Sequence, residues 1–334
     1  MRILLVGPGS NRKFGDRFYY SFSRRLLNGF VRNGHFVLHV SDRDLADYAL
    51  GLRSIGAIYA NRRLREIAAS LQPDLLVLVH ADLVTDETVA AVRKVSPATK
   101  VAVAEFDALA VPGGSGSTRL GRMSAVADAA FATTGGQPLA AATGGVPAFF
   151  IPNPVDVAMD DRKAYEGTPN ADVFFAGQQG GQGRQWQRAL SLRAAAPELR
   201  YAYHGMAKQN GLWGHAYIAA LAACRIGLNL NREEGFCYAS DRMAQYLGNG
   251  LLLATDRASG YDAYFSDDEM IFFATIEELA DACRRAAADD QGWRLRAQRG
   301  RDKALVYMSN TIVCEFIARV TLGESPPSNW LFPH

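Results

Sequence analysis

Cysteine is scarce in this chain. Its four copies, Cys224, Cys237, Cys283 and Cys314, form neither a CxxC pair nor a Cys/His cluster, so a structural zinc site and a disulfide framework both lack their spacing signature. Free thiols in a reducing compartment are the expectation. Long apolar runs are also missing. No stretch approaches the ~20 residues that span a bilayer, and Met1-Arg-Ile-Leu-Leu-Val-Gly-Pro8 reads as a strand entering a turn rather than as a secretory signal. Nor is there an excess of charge of one sign: 36 basic against 34 acidic residues leave a net charge of +2. That balance is too mild to imply a nucleic-acid partner. The expectation is a soluble, cytoplasmic protein, with at most a peripheral contact at the inner face of a membrane.

What the chain does have is an ordinary globular composition, 49% hydrophobic and 21% charged, over 334 residues. That length exceeds what one core usually supports, so two domains are expected. In the first half, short apolar runs at Ile3 to Val6, Phe36 to Val40, Leu75 to Val79, Lys100 to Ala104, Ala129 to Ala132 and Ala148 to Ile151 alternate with segments of helical spacing. Pro152-Asn-Pro-Val-Asp156 interrupts the series. A second alternating series follows, with strands at Asp172 to Ala176, Arg200 to Tyr203, Arg225 to Leu230, Leu251 to Ala254 and Met270 to Phe273, and a long helical stretch from Trp293 to Val320 closes the chain. Strands alternating with helices predict α/β domains with doubly wound parallel sheets.

The segment from Ala171 to Thr255 carries most of the chemical information. It places Gly177-Gln-Gln-Gly-Gly-Gln-Gly-Arg184, Tyr203-His-Gly205, Asn231-Arg-Glu-Glu-Gly-Phe236 and Arg242-Met-Ala-Gln-Tyr-Leu-Gly-Asn-Gly250 at the ends of successive apolar runs. In a parallel sheet those ends share one edge, the edge at which open α/β domains bind ligands.

Two Rossmann-like domains with a proline-marked junction resemble the GT-B glycosyltransferases. Ile151-Pro-Asn-Pro-Val-Asp156, Phe174-Phe-Ala-Gly177, Glu234-Gly-Phe236, Arg242 and Gly248-Asn-Gly250 resemble, within that fold, the bacterial family 4 and CgeB-like enzymes. The resemblance implies an acceptor domain over 1–152, a nucleotide-sugar donor domain over 153–300 facing it across a cleft, and a helix and tail over 301–334 packing back on the first domain. It implies a metal-independent hexosyl- or other glycosyltransferase of bacterial envelope polysaccharide synthesis, taking a nucleotide sugar as co-substrate and a glycan, lipid-linked or protein acceptor. Two alternatives share the fold: an epimerase or hydrolase of nucleotide sugars, and an inactive binding protein.

Transfer from a nucleotide sugar requires neutralisation of the departing diphosphate, and without a metal that task falls to amides, helix N-termini and basic side chains. Gly177 and the glycines after it offer bare backbone at a turn, and Arg184 stands where a helix starts. Ser240 is a candidate N-cap whose neighbouring amides would face phosphate. Arg242 and Gln245, three apart on one helical face, would reach phosphate and ribose. His204, Asn231 and Glu234 complete the candidate donor set, and Asn229 ends the same strand as Asn231. The resembled family carries glutamate where Gln245 stands, and the interval from Glu234 is longer than the family 4 spacing. Each of these residues also has a structural reading as a cap, a solvated side chain or a core group.

In the first domain a general base must reach an acceptor hydroxyl. Asp107, His80 and Asp16, in that order, are the candidates. Gly7-Pro-Gly9 resembles the start of a dinucleotide fingerprint, but position 12 is arginine and no acid ends a second strand at the expected interval of about 20 residues, which argues against a nicotinamide site. Asp42-Arg-Asp44 matches a DxD metal motif in form and reads as a strand-end turn with a helix cap. The helix expected over Phe14 to Asn33 mixes aromatics with Arg17, Arg24, Arg25 and Arg32, so it can rest on anionic lipid or pack on the sheet.

Overall fold

The computed structural model describes residues 1–9, 19–49, 53–109, 114–177, 183–205, 211–231 and 237–333. Asp16 and Glu234 lie outside the described residues, as does most of the glycine run after Gly177.

The chain divides into two units, one of 1–154 with 310–334 and one of 155–309. In the first unit, β1 (Arg2–Val6), β2 (Phe36–Val40), β3 (Leu75–Val79), β4 (Lys100–Glu105), β5 (Ala129–Ala132) and β6 (Ala148–Phe150) form one sheet in the order β2-β1-β3-β4-β5-β6. All neighbours are parallel. The composition explains the arrangement: Leu75-Leu-Val-Leu-Val79 is buried at every position, as a strand with helices on both faces requires. Helices α1 (Phe22–Arg32), α2 (Asp42–Tyr48), α3 (Arg53–Leu71), α4 (Asp86–Val95), α5 (Ser115–Ser124) and α6 (Gly136–Thr143) connect them.

The second unit repeats the plan. Strands β7 (Ala171–Ala176), β8 (Tyr201–His204), β9 (Cys224–Asn229), β10 (Leu252–Asp256) and β11 (Ile271–Phe273) are ordered β11-β10-β9-β7-β8, all parallel. Both sheets therefore reverse direction between their first and third strands. That switch point lies between β1 and β3 in one unit and between β7 and β9 in the other, and it opens a crevice at the strands' carboxyl ends. The helices are α7 (Arg184–Ala195), α8 (Gly214–Ala222), α9 (Arg242–Gly248), α10 (Ile276–Ala288) and α11 (Asp290–Tyr307).

The single helical stretch expected over Trp293 to Val320 is two helices, α11 and α12 (Asn310–Thr321). They part where the Val155 amide donates to the Met308 carbonyl at 2.7 Å and Val155 pairs with Ser309. The limit expected at 300/301 falls inside α11, which the buried Arg301 ties to the second unit through its Nε bond to the Gly248 carbonyl at 2.8 Å. In the first unit α12 lies so close to α1 that a Cβ at Gly29 would stand 2.3 Å from the Asn310 carbonyl oxygen. Glycine is what permits that approach. Phe316 of α12 stacks on Trp330 with ring centroids 3.8 Å apart. All four cysteines are buried, and no disulfide joins any two of them.

Candidate functional site

At the carboxyl edge of the first sheet, β3 ends in His80-Ala81-Asp82 and β4 in Glu105-Phe106-Asp107. His80 stands at the switch point with φ 45°, a left-handed conformation that a non-glycine residue holds only where its surroundings impose it. Its Nε2 lies 2.5 Å from Glu105 Oε1 and 3.0 Å from the Phe106 amide nitrogen. Phe22 covers the ring at 4.6 Å and stacks nearly parallel on Phe106. Arg119, carried on α5, donates through Nε to Glu105 Oε2 at 2.6 Å and through NH2 to Glu105 Oε1 at 2.8 Å. The same guanidinium reaches Asp107 at 2.7 Å and Asp82 at 3.2 Å, and Arg43 pairs with Asp82.

Glu105 is 1% exposed. Burial alone would push its carboxyl up, but the bonds from His80 and Arg119 outweigh burial and hold it below the ordinary glutamate value. Burial likewise opposes the charge on Arg119, and Glu105 more than restores it. His80, Glu105 and Asp107 bring ligand atoms within 4.8 Å of one another, close enough to hold a metal ion. The guanidinium of Arg119 already sits on both carboxylates, so a cation would have to displace it. Asp42 and Asp44 are elsewhere: Ser41 caps α2 by accepting from the Asp44 amide, and Asp42 is buried with Oδ2 accepting from the Leu83 amide at 3.1 Å. Gly9 also donates to Ser41 Oγ. The DxD-like pair is built into a helix start.

At the corresponding edge of the second sheet, Gly177 follows β7 and its amide donates to the His204 carbonyl at 3.1 Å. Gly205, at φ 91°, comes so close that a Cβ there would stand 2.0 Å from the Gly177 carbonyl oxygen. Half-buried His204 packs its ring against Phe174, and desolvation holds its pKa below the ordinary histidine value. Arg184 is the exposed first residue of α7.

Four expected donor contacts have other partners. Ser240 is not the cap of α9; that place belongs to Asp241, which makes no side-chain cap bond. The Ser240 amide donates to Asn231 Oδ1 at 3.2 Å and its hydroxyl to Asn229 Oδ1 at 2.8 Å. Asn231 also donates to the Tyr238 carbonyl, and Asn229 to Thr255 Oγ1. Gln245 is 3% exposed, with Oε1 accepting from Tyr217 at 2.5 Å and Nε2 donating to Asp241 at 3.0 Å. Arg242 lies across the switch point. It donates to the Ala176 carbonyl at the end of β7 (3.1 Å), to the Leu230 carbonyl after β9 (2.7 Å) and to Ser240 Oγ (3.0 Å), with its guanidinium 5.2 Å from the Phe175 ring centroid. These side chains build the floor of the edge.

Nothing in the sequence connects Arg119 to Glu105, or Tyr217 to Gln245. Each pair meets only when separate crossover elements return to the same sheet edge.

Residues 177–313 match the family model described as glycosyl transferase-like. Among solved structures, HepE from Anabaena in complex with UDP and glucose is similar at a TM-score of 0.62 and 13% identity, covering 97% of this chain and 100% of that one. AviGT4, a glycosyltransferase involved in avilamycin A biosynthesis, aligns at 0.62 and 14% identity over 97% and 98%. Sucrose-phosphate synthase from Thermosynechococcus elongatus aligns at 0.57 and 12% over 97% and 98%. No curated protein is significantly similar in sequence. The chain has the GT-B fold, and part of its second unit is similar to the glycosyl transferase-like family model.

Proposed function

We propose that this protein is a glycosyltransferase that moves a sugar from a nucleotide donor, held at the carboxyl edge of the second sheet, to a hydroxyl of a glycan, lipid-linked or protein acceptor. The observation that carries the reading is the extent of the family match. It begins at Gly177, the residue that leaves β7 at the switch point, and takes in the ends of β8, β9, β10 and β11. HepE, which shares the fold, binds UDP and, in another structure, UDP-glucose. A uridine diphosphate sugar is accordingly the first donor to test, and synthesis of envelope polysaccharide the first setting.

In a thermal-shift screen, one of UDP, GDP, CDP or ADP should stabilise the protein and its sugar should give a labelled acceptor by mass spectrometry. Free sugar or an epimer formed without an acceptor would replace this reading with a hydrolase or an epimerase. Arg184→Ala should weaken binding of the stabilising nucleotide about 10- to 100-fold, as expected for one charged hydrogen bond of ~1.5–3 kcal/mol. Unchanged calorimetric affinity removes Arg184 from the site.

The reaction is proposed to need no metal. Turnover should persist in EDTA, and sensitivity to the chelator would direct attention to His80, Glu105 and Asp107.

A further inference from the structure

We infer that β2, the outer edge of the first sheet, pairs antiparallel with β2 of a second copy of this chain about a two-fold axis at Leu38. The pairing lies within the first unit and stands whether or not sugar transfer is found.

β2 is an edge strand of sequence Phe36-Val-Leu-His-Val40. The Phe36 amide donates to the Met1 carbonyl, and the Val40 carbonyl accepts from the Gly7 amide. Along a parallel ladder, residues that bond one neighbour alternate with residues that face away from it. Phe36, Leu38 and Val40 therefore bond β1, while Val37 and His39 turn two N–H and two C=O groups outward. Among the described residues nothing bonds those groups.

Two other edges are covered. Phe150 of β6 is 3% exposed, with the Phe332 ring centroid 5.6 Å from its own. At the entry to β11, Arg296 donates to the Asp267 and Met270 carbonyls, each at 2.8 Å. β2 has no such cover among the described residues. It also has no lysine or proline, and no bulge breaks its register with β1, so the usual devices against edge pairing are missing.

The side chains point the same way. On the face under α3, Val40 is buried with Leu64 and Ala68, yet Phe36 is 60% exposed and Leu38 36%. Those two line a groove with Ile67 and Leu71 of α3, beside Arg63 and Glu66.

The outward groups select the occupant. In an antiparallel pair, residues that exchange both hydrogen bonds stand opposite each other. With Val37 opposite the partner's His39, and His39 opposite the partner's Val37, every outward group of both strands is bonded, and Leu38 meets its own copy on the axis. A register centred on Val37 or on His39 bonds only one outward residue per strand. In the favoured register Phe36 faces the partner's Val40, so both exposed apolar side chains gain cover. The strand carries no Lys, Arg, Asp or Glu, and its groove holds one charge of each sign. Two copies therefore meet without an excess of like charge. The axis reverses strand direction, so the two carboxyl edges open at opposite ends of the joined sheet.

Cysteine cross-linking of the full chain tests the register. Opposed residues of a non-hydrogen-bonded pair have Cα atoms about 4.5 Å apart, within disulfide reach, and the four native cysteines are buried. Mild oxidation of Leu38→Cys should give a disulfide-linked dimer. Phe36→Cys, about 13 Å along the strand from its symmetry mate, should give none. A five-residue edge makes a small contact, so in sedimentation velocity the native dimer should grow between about 1 and 100 μM. Leu38→Lys sets two ammonium groups together on the axis and should abolish the dimer. Val37→Pro removes an outward donor from each copy and leaves the β1 ladder intact, and it should weaken the dimer about 10-fold or more. A monomer at every concentration overturns the pairing and leaves the edge to a foreign strand. A dimer that survives Leu38→Lys, or Phe36→Cys cross-linking as readily as Leu38→Cys, overturns it as well. Leu38 is exposed in the single chain, so the lysine should be tolerated; should that variant fail to fold, the two cysteine variants still decide.

Discussion

Arg242→Ala is expected to destabilise the second unit by about 2–4 kcal/mol, seen as an earlier unfolding midpoint in urea, whether or not nucleotide is present. The guanidinium joins the Ala176 and Leu230 carbonyls, one from each side of the switch point, and also binds Ser240 Oγ. Alanine strands two carbonyls at the ends of central strands. A hydrogen bond to a charged group contributes ~1.5–3 kcal/mol and an unmet buried acceptor costs ~1–3 kcal/mol; the arginine is only half-buried, which keeps the sum at the lower end.

Arg242→Lys separates this from a phosphate-binding role. Lysine keeps the charge but lacks the planar fork that reaches three acceptors at once, so the clamp model predicts most of the same loss of stability. A residue that served only as a phosphate cation would leave stability unchanged and keep part of the nucleotide affinity in the lysine variant. That pattern, read by denaturation and calorimetry together, would return Arg242 to the donor contacts.

The contrast between the two edges shows what a sequence can carry. Fully buried runs such as Leu75 to Val79 and glycine or polar punctuation after them are local signals, and they place β3 and the start of α7 without knowledge of any neighbour. The strand order is not local. It is set by which side of β1 or β7 each crossover returns to, and that order is what puts His80 at one switch point and Arg242 at the other. Gln245 shows the limit most clearly. Its position three residues after Arg242 suggested a ribose contact, yet its amide is turned to Tyr217 of α8 and Asp241. A glutamine whose two ends are both satisfied internally carries no information about donor identity. Likewise Arg119 reads as one more helical arginine until α5 lays it on Glu105. Glu234, the residue on which the family 4 resemblance leaned, and Asp16 fall outside the described residues.

Asp42→Asn is expected to stabilise the first unit by about 2 kcal/mol at pH 7 to 8, with the gain fading as pH falls toward 4. Burial raises the Asp42 carboxyl from 3.8 to about 6, the Leu83 amide offsetting part of the effect, and its buried Oδ1 has no hydrogen-bond partner among the described residues. Above pH 6 both folded and unfolded chains carry this charge, and only the folded chain holds it in a place that disfavours it. Between about 6 and 3.8 the native state binds a proton that the unfolded chain does not, so this group's contribution to stability rises as pH falls through that window. A shift of about two units corresponds to ~3 kcal/mol at neutral pH. Asparagine removes the charge and still accepts from Leu83, at a cost of ~1 kcal/mol for an amide group left without a partner. Glu105, Asp128 and Asp172 have lowered values and pull overall stability the other way, so the native and Asp42→Asn proteins must be compared at each pH. A difference in unfolding free energy that does not change between pH 4 and 8 would show that Asp42 is not the source.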